Sequence, residues 1–289
     1  METFIEVVKT ILLGIVEGIT EWLPISSTGH MILLNDILRL NVSENFWEMF
    51  LVVIQLGAIL AVVVLYFGKL WPLAQKKNLE RENRLFSIGK IGVKKNTMLL
   101  WAKVIVAVLP AAIIGIPLDD WLEEHLFNSV VVAIALILYG VCFILIERRN
   151  AKREFAVNTV EEISWKTAIG IGVAQTLSII PGTSRSGSTI LGASMLSVSR
   201  PAAAEFSFFL AIPVMVGASA LKIVKFFLEG NAISGTEALY LAVGCAVAFA
   251  VSVAAIRFLT DFVKKHSFSA FGIYRIILGV IVLLVYFVK

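Results

Sequence analysis

Long apolar runs alternate with short polar stretches along the whole chain. Runs of about 17–25 apolar residues, the length that crosses a bilayer as a helix, occur six times. They lie at approximately Phe50–Phe67, Met98–Leu118, Val130–Ile146, Phe206–Phe227, Ala238–Leu259 and Phe271–Val288. This pattern predicts six transmembrane helices.

Two further segments, about Phe4–Leu40 and Ile163–Arg200, begin apolar and then break at Pro24 or Pro181. The residues after each proline are too rich in Gly, Ser and Thr for a lipid-facing helix. Backbone of this kind is tolerated at membrane depth only when it is buried in protein or lines a cavity. We therefore predict two re-entrant helix–loop–helix hairpins.

The composition agrees with an all-α polytopic membrane protein. Of the 289 residues, 58% are hydrophobic and only 16% are charged, against about a quarter charged in soluble domains. The net charge of +4 is modest, and the basic residues collect in particular loops. Membrane orientation explains that distribution, so no nucleic-acid partner is expected.

The loop charges predict the orientation. Lys69–Lys95, residues 148–153 and residues 264–265 are basic, whereas Asp119–Asn128 and Glu229–Glu237 are acidic and contain no Lys or Arg. With six spans and two hairpins, all basic loops fall on one side. By the positive-inside rule this side is cytoplasmic and both termini lie outside. Two hairpins that each span the membrane twice would give the same orientation.

The two halves of the chain resemble each other. Pro24 and Pro181 are 157 residues apart, as are Ser27 and Ser184. We therefore expect a single membrane domain built from a repeat.

In this domain, residues 1–289, each half contains one hairpin and three spans. The first repeat covers residues 1–147 and the second covers residues 163–289. Because three is an odd number, the second half must be inverted. Such inverted-topology repeats build binding sites from broken helices near the midplane.

Glu17 and Glu21 are four residues apart and so share a helix face. Two like charges in apolar surroundings require a nearby cation unless one is neutral. Arg185 or a divalent metal could supply that cation. The alternative is a protonated glutamate that is hydrogen-bonded between helices.

The stretch after Pro24 carries hydroxyls, a glycine and a histidine: Ser26, Ser27, Thr28, Gly29 and His30. One hydroxyl could serve as a nucleophile with His30 as acid or base. The alternative is a simple capped break between two helices.

The stretch PGTSRSGST places Arg185 between Ser184 and Ser186. Arginine offers a planar fork for phosphate oxygens, and backbone N–H groups at a helix N-terminus add to such a site. An interfacial arginine with capping serines is the alternative. Since the two glutamates would repel a diphosphate, charge balance favours a bridging Mg²⁺ or Ca²⁺. The stretch lacks the GxxxxGK[ST] motif of a nucleotide P-loop, so ATP use is not indicated.

EGITE, LPISSTGH and PGTSRSGST together resemble the undecaprenyl-diphosphate phosphatases of the bacitracin-resistance family, over nearly the whole chain. The resemblance implies hydrolysis of undecaprenyl diphosphate to undecaprenyl phosphate in the bacterial plasma membrane, and bacitracin resistance. It implies that Glu17 and Glu21 bind a divalent metal or handle protons. It further implies Ser27 as nucleophile, His30 as its assistant and Arg185 as the phosphate holder. The expected phosphate cradle comprises Ser26, Thr28, Ser184, Ser186 and Thr189.

The expected partners are a polyprenyl diphosphate lipid, the bilayer and, in a homodimer, a second copy of the chain. The main rival function is a transporter or flippase for a prenyl-phosphate lipid, since inverted repeats with broken helices also build transporters.

Overall fold

The structure is a computed structural model that describes residues 2–288. Side chains are described for all of these except residues 2, 32, 33, 35–37, 77, 81, 119, 120 and 123. The predicted ends of the domain, Met1 and Lys289, therefore lie outside the described residues. So do three side chains of the predicted acidic loop, those of Asp119, Asp120 and Glu123.

Helices make up most of the described chain. In order they are α1 (Glu2–Thr20), α2 (Ser27–Leu38), α3 (Glu44–Leu65), α4 (Phe67–Leu70), α5 (Lys95–Leu126), α6 (Ser129–Asn150), α7 (Trp165–Gln175), α8 (Arg185–Met195), α9 (Arg200–Leu228), α10 (Gly235–Lys265) and α11 (Ser269–Val288). Short 3-10 turns lie at Lys76–Asn78, Arg81–Asn83 and Thr176–Ile179.

Six helices of the described chain are long and apolar enough to cross a membrane: α3, α5, α6, α9, α10 and α11. They coincide with the six predicted spans, so the prediction of a polytopic membrane protein is confirmed. Several helices run beyond their apolar stretch because polar residues cap them. In α10, Ser234 and Glu237 form a capping box at the start, and Lys264 and Lys265 occupy the last turn, where cations favour the helix dipole.

The basic segment after α4 is folded rather than irregular. β1 (Leu73–Gln75), β2 (Arg84–Ile88) and β3 (Ile91–Lys94) form an antiparallel sheet in the order β1-β3-β2. Gly89 lies in the tight turn between β2 and β3 and has a φ of +57°. Residues with a side chain rarely adopt this value. The predicted all-α class is corrected at this segment.

Small residues allow close helix packing in the bundle. A Cβ added to Gly14 of α1 would lie 2.9 Å from the carbonyl oxygen of Gly244 in α10. A Cβ on Gly140 of α6 would lie 2.6 Å from the carbonyl oxygen of Gly272 in α11. Membrane helices use such contacts because lipid offers no hydrophobic drive for helices to associate.

The two breaks predicted at Pro24 and Pro181 are both present as helix–loop–helix units, α1–α2 and α7–α8. Residues 186–194 of α8 are all buried, and the helix packs against α6, α7 and α9. Protein therefore surrounds the hydroxyl-rich stretch, as polar backbone requires at membrane depth. Entry of the two units from opposite faces stays a prediction.

Candidate active site

The first polar loop joins α1 to α2 with an unusual backbone conformation. Ser26 caps α2, because its side chain accepts a hydrogen bond from the Gly29 N–H at 3.2 Å. Its φ of +73° lies in a region that residues with a side chain rarely adopt. Such strain persists only where the surroundings enforce it and is concentrated at functional sites.

The second polar loop repeats this geometry before α8. Ser184, with φ +70°, accepts a hydrogen bond from the Gly187 N–H at 3.1 Å. Ser26 and Ser184 are 158 residues apart, so Ser184 corresponds to Ser26 in structure rather than to Ser27. The predicted offset of 157 thus grows by one residue within the loop. Arg185 and Ser27 consequently occupy the same position, the first residue of the second helix.

Glu21 connects the two loops through its two carboxylate oxygens. Oε1 accepts a hydrogen bond from Arg185 Nη2 at 2.8 Å, and Oε2 accepts one from the Ser27 hydroxyl at 2.6 Å. The Glu21 and Arg185 side chains are only 7% and 11% exposed. Arg185, contributed by the other half of the chain, is therefore the cation that pairs with Glu21.

Arg185 is held on several sides but keeps donor capacity. Its Nη1 donates to the Ser207 carbonyl oxygen at 2.7 Å, and its guanidinium carbon lies 5.8 Å from the centre of the Trp22 ring. Its Nε has no hydrogen-bond partner among the described residues. A fixed guanidinium with a remaining N–H can bind an oxyanion without moving far.

A cavity of about 190 Å³ opens onto this group. Five predicted site residues form part of its wall: Glu21, Ser27, Thr28, Ser184 and Arg185. Residues of α3 and α9 complete the enclosure. The wall of the cavity thus carries a carboxylate, a guanidinium, the amide of Gln55 and four residues with hydroxyl groups.

Three residues expected to bind phosphate support the loops instead and are not part of this cavity wall. The Ser186 hydroxyl donates to the Glu21 carbonyl oxygen at 3.1 Å, which ties the second loop to the first. A hydrogen bond of 2.6 Å joins the hydroxyls of Thr189 and Ser207. Ser26 serves as the helix cap.

Glu17, one helical turn before Glu21, does not line the cavity. It is only 1% exposed, and its Oε1 has no hydrogen-bond partner in the described part of the chain. A buried carboxylate oxygen without a partner is costly, so a proton or a cation is expected at this atom. No group of three or more His, Cys, Asp and Glu side chains arranged to hold a metal occurs among the described residues.

His30 is directed away from Ser27. Its Nδ1 donates to the Ser26 carbonyl oxygen at 2.7 Å, and its Nε2 is hydrogen-bonded to the Tyr274 hydroxyl at 2.7 Å. Both ring nitrogens are thereby engaged, and the described contacts include no hydrogen bond from His30 to Ser27. Ser27 is hydrogen-bonded to Glu21 instead, and the assisting role of His30 stays a prediction.

Arg275 was not identified in the sequence analysis. It is fully buried, and it donates to the carbonyl oxygens of Pro24 at 3.1 Å, Gly182 at 2.7 Å and Thr183 at 3.0 Å. One guanidinium therefore joins both polar loops. A signal was present, because an ionisable residue inside an apolar span is rare and functional by default.

The fold and the site together define a polytopic membrane protein with a buried cavity suited to an anionic substrate. The chain belongs to the family described as Bacitracin resistance protein BacA, whose family model matches residues 10–281.

Curated relatives agree over nearly the full length. An undecaprenyl-diphosphatase of Enterococcus faecalis is 58% identical over 282 residues, 98% of each chain. One of Acetivibrio thermocellus is 56% identical over 280 residues, 97% of each chain. One of Lactococcus lactis subsp. lactis is 54% identical over 283 residues, 96% of each chain.

Proposed function

We propose that this protein hydrolyses undecaprenyl diphosphate to undecaprenyl phosphate and inorganic phosphate. The observation that carries the proposal is the Glu21 carboxylate, which contacts both the Ser27 hydroxyl and the Arg185 guanidinium at the cavity wall. The names of the relatives support the substrate. The reaction returns the lipid carrier for cell-wall synthesis, and the family description implies bacitracin resistance.

Ser27 and Glu21 are assigned to the chemical step. Glu21 takes the Ser27 proton while the Ser27 oxygen attacks the terminal phosphorus, and the bond from phosphorus to the lipid phosphate breaks. Water then releases the phosphate from Ser27. In the alternative mechanism no phosphoserine forms: Glu21 activates a water molecule directly, and Ser27 orients that water. Either form relies on positioning and charge stabilisation, as phosphoryl transfer usually does.

Arg185 is assigned to the terminal phosphate, with Thr28 and Ser184 as further polar groups on the cavity wall. The guanidinium offsets the charge that spreads over the phosphate oxygens in the transition state. Ser26, Ser186 and Thr189 act on the phosphate indirectly, by fixing the two loops. His30 acts in the same way through Ser26 and Tyr274.

A divalent cation, Mg²⁺ or Ca²⁺, fits the donors present. Mg²⁺ is commonly bound by one or two carboxylates together with substrate phosphates. Glu21 lies on the cavity wall, and Glu17, one helical turn earlier, has an unpartnered oxygen. These two residues would hold the ion, which would supply charge neutralisation for the diphosphate.

The proposed arrangement is an inverted-topology repeat with two re-entrant hairpins, in the bacterial plasma membrane, with basic loops cytoplasmic and both termini outside. The matching caps at Ser26 and Ser184 support the repeat. The homodimer stays a prediction.

Phosphate release tests the function directly. Purified protein in detergent with Mg²⁺ should release phosphate from a prenyl diphosphate, and the release should fall in Ser27→Ala, Glu21→Ala and Arg185→Ala and on adding a chelator. Retained activity in Ser27→Ala would exclude the covalent serine. No release by wild type, with lipid movement in liposomes that Arg185→Ala abolishes, would favour the transporter.

A further inference from the structure

A second and larger cavity, of about 620 Å³, adjoins the polar cavity. Ser178, Val214 and Ala218 line both, so the two volumes share a boundary. Most of the larger wall is apolar and comes from α5 and α9, for example Ile116 and Leu221. An apolar chamber of this size is within the range that holds a small-molecule ligand.

The two halves of the repeat differ at the position of this cavity. Gly57 in α3 and Gly217 in α9 match in sequence. A Cβ on Gly57 would overlap the backbone of Cys245 in α10, whereas a Cβ on Gly217 would meet no described atom within 4 Å. The space that α10 fills beside α3 is therefore open beside α9. A difference between two matched halves indicates a role that only one half has.

Gln175 is one of two polar side chains, with Ser178, on the wall of the larger cavity. It is 0% exposed, and neither its amide nitrogen nor its amide oxygen has a hydrogen-bond partner among the described residues. Buried amides are usually paired. Gln175 lies one helical turn before Ser178, which belongs to the shared boundary.

We propose that the larger cavity binds the first isoprene units of the substrate and that Gln175 donates to the phosphate that stays on the lipid. This inference rests on the proposed function. With the terminal phosphate at Arg185 and the chain in the apolar cavity, the retained phosphate must lie at the boundary between them. Gln175, whose amide N–H groups have no acceptor among the described residues, lies on the cavity wall one helical turn before that boundary.

Filling the cavity tests the chain position. Gly217→Leu should raise KM for a C15 prenyl diphosphate at least tenfold and KM for a C5 prenyl diphosphate by a smaller factor, because a C5 chain fills less of the cavity. Gly115→Leu fills the cavity from α5, where a Cβ would contact Ile179 at an ordinary 3.4 Å. This variant should change the two KM values in the same way. Gly235→Leu, at an exposed glycine with open space around it, is the matched control and should change neither value. Unchanged KM for the C15 substrate in both filled variants would overturn the proposal.

Gln175→Leu tests the phosphate contact. Loss of one hydrogen bond to a charged group should raise KM for both substrates about tenfold or more. The melting temperature should not fall, because leucine has a similar volume and removes an amide that has no partner among the described residues. An unchanged KM would refute the role of Gln175.

A binding readout separates this inference from the proposed function. A C15 diphosphate analogue with a photoreactive chain should label α5 and α9 in wild type but not in Gly217→Leu. Labelling there without phosphate release would sustain the inference and refute the phosphatase. Phosphate release with labelling of helices other than α5 and α9 would refute the inference and sustain the phosphatase function.

Discussion

Glu21 joins the serine of one loop to the arginine of the other through a single carboxylate. Glu21→Gln keeps the shape of the side chain but removes its charge and its ability to take the Ser27 proton. We expect kcat for phosphate release to fall about 10²- to 10⁴-fold, the range for a positioned acid or base.

Glu147→Gln is the matched control for this substitution. Glu147 is also buried and paired with an arginine, Arg200 Nε, at 3.0 Å, but it lies outside both cavities. Glu147→Gln should lower the melting temperature and leave the rate of phosphate release per folded molecule unchanged. Equal loss of rate in the two variants would mean that the Glu21 effect is structural.

At the scale of the elements, two helix starts with positive φ shape the site. Ser26→Ala loses the cap, whereas Ser26→Gly loses the cap but relaxes the backbone. We expect glycine to be less destabilising than alanine at position 26 by about 1–2 kcal/mol, the cost of a left-handed residue with a side chain.

The same pair of substitutions at Ser43 supplies the comparison. Ser43 caps α3 through the Phe46 N–H with an ordinary φ of −65°. At position 43 the glycine variant should be more stable than the alanine variant only by the usual difference between these two residues at a helix N-cap. Equal margins at positions 26 and 43, measured by thermal unfolding, would show that position 26 is unstrained.

Arg275 holds the two loops in register, since its donors reach carbonyl oxygens in both. Lysine keeps the charge but lacks the planar fork. Arg275→Lys should therefore reduce kcat at least tenfold, and Arg257→Lys, at an exposed position of α10, should not. Normal kcat in purified Arg275→Lys would remove Arg275 from the account.

For the whole molecule, apolar run length was sufficient to predict the six spans, because hydrocarbon thickness fixes helix length. Charge balance predicted Arg185 or a divalent metal beside the glutamates, since a buried carboxylate needs a partner, and Arg185 contacts Glu21. The contact of His30 with Tyr274 spans 244 residues and leaves no mark in local sequence. The sheet was missed because strands of three to five residues carry too little pattern. Arg275 was not singled out because a single arginine changes the mean hydropathy of the apolar run Phe271–Val288 very little.

Membrane orientation gives a prediction at the same scale. A cysteine at Lys90, in the sheet segment, should react with a membrane-impermeant maleimide only after the cytoplasmic face is opened. A cysteine at Thr236, exposed in the first turn of α10, should react in intact cells, because the basic loops are predicted to be cytoplasmic and this end of α10 lies on the other side. Reaction of both from the same face would contradict the predicted topology.

The central claim is that the cavity bounded by Glu21, Ser27 and Arg185 removes one phosphate from a prenyl diphosphate. The most direct measurement follows released phosphate and extracted lipid in one reaction with purified protein. The account predicts one phosphate released per lipid, a prenyl monophosphate as the only lipid product, and neither product from Arg185→Ala. Release of diphosphate with a free prenyl alcohol, or normal release by Arg185→Ala, would contradict it.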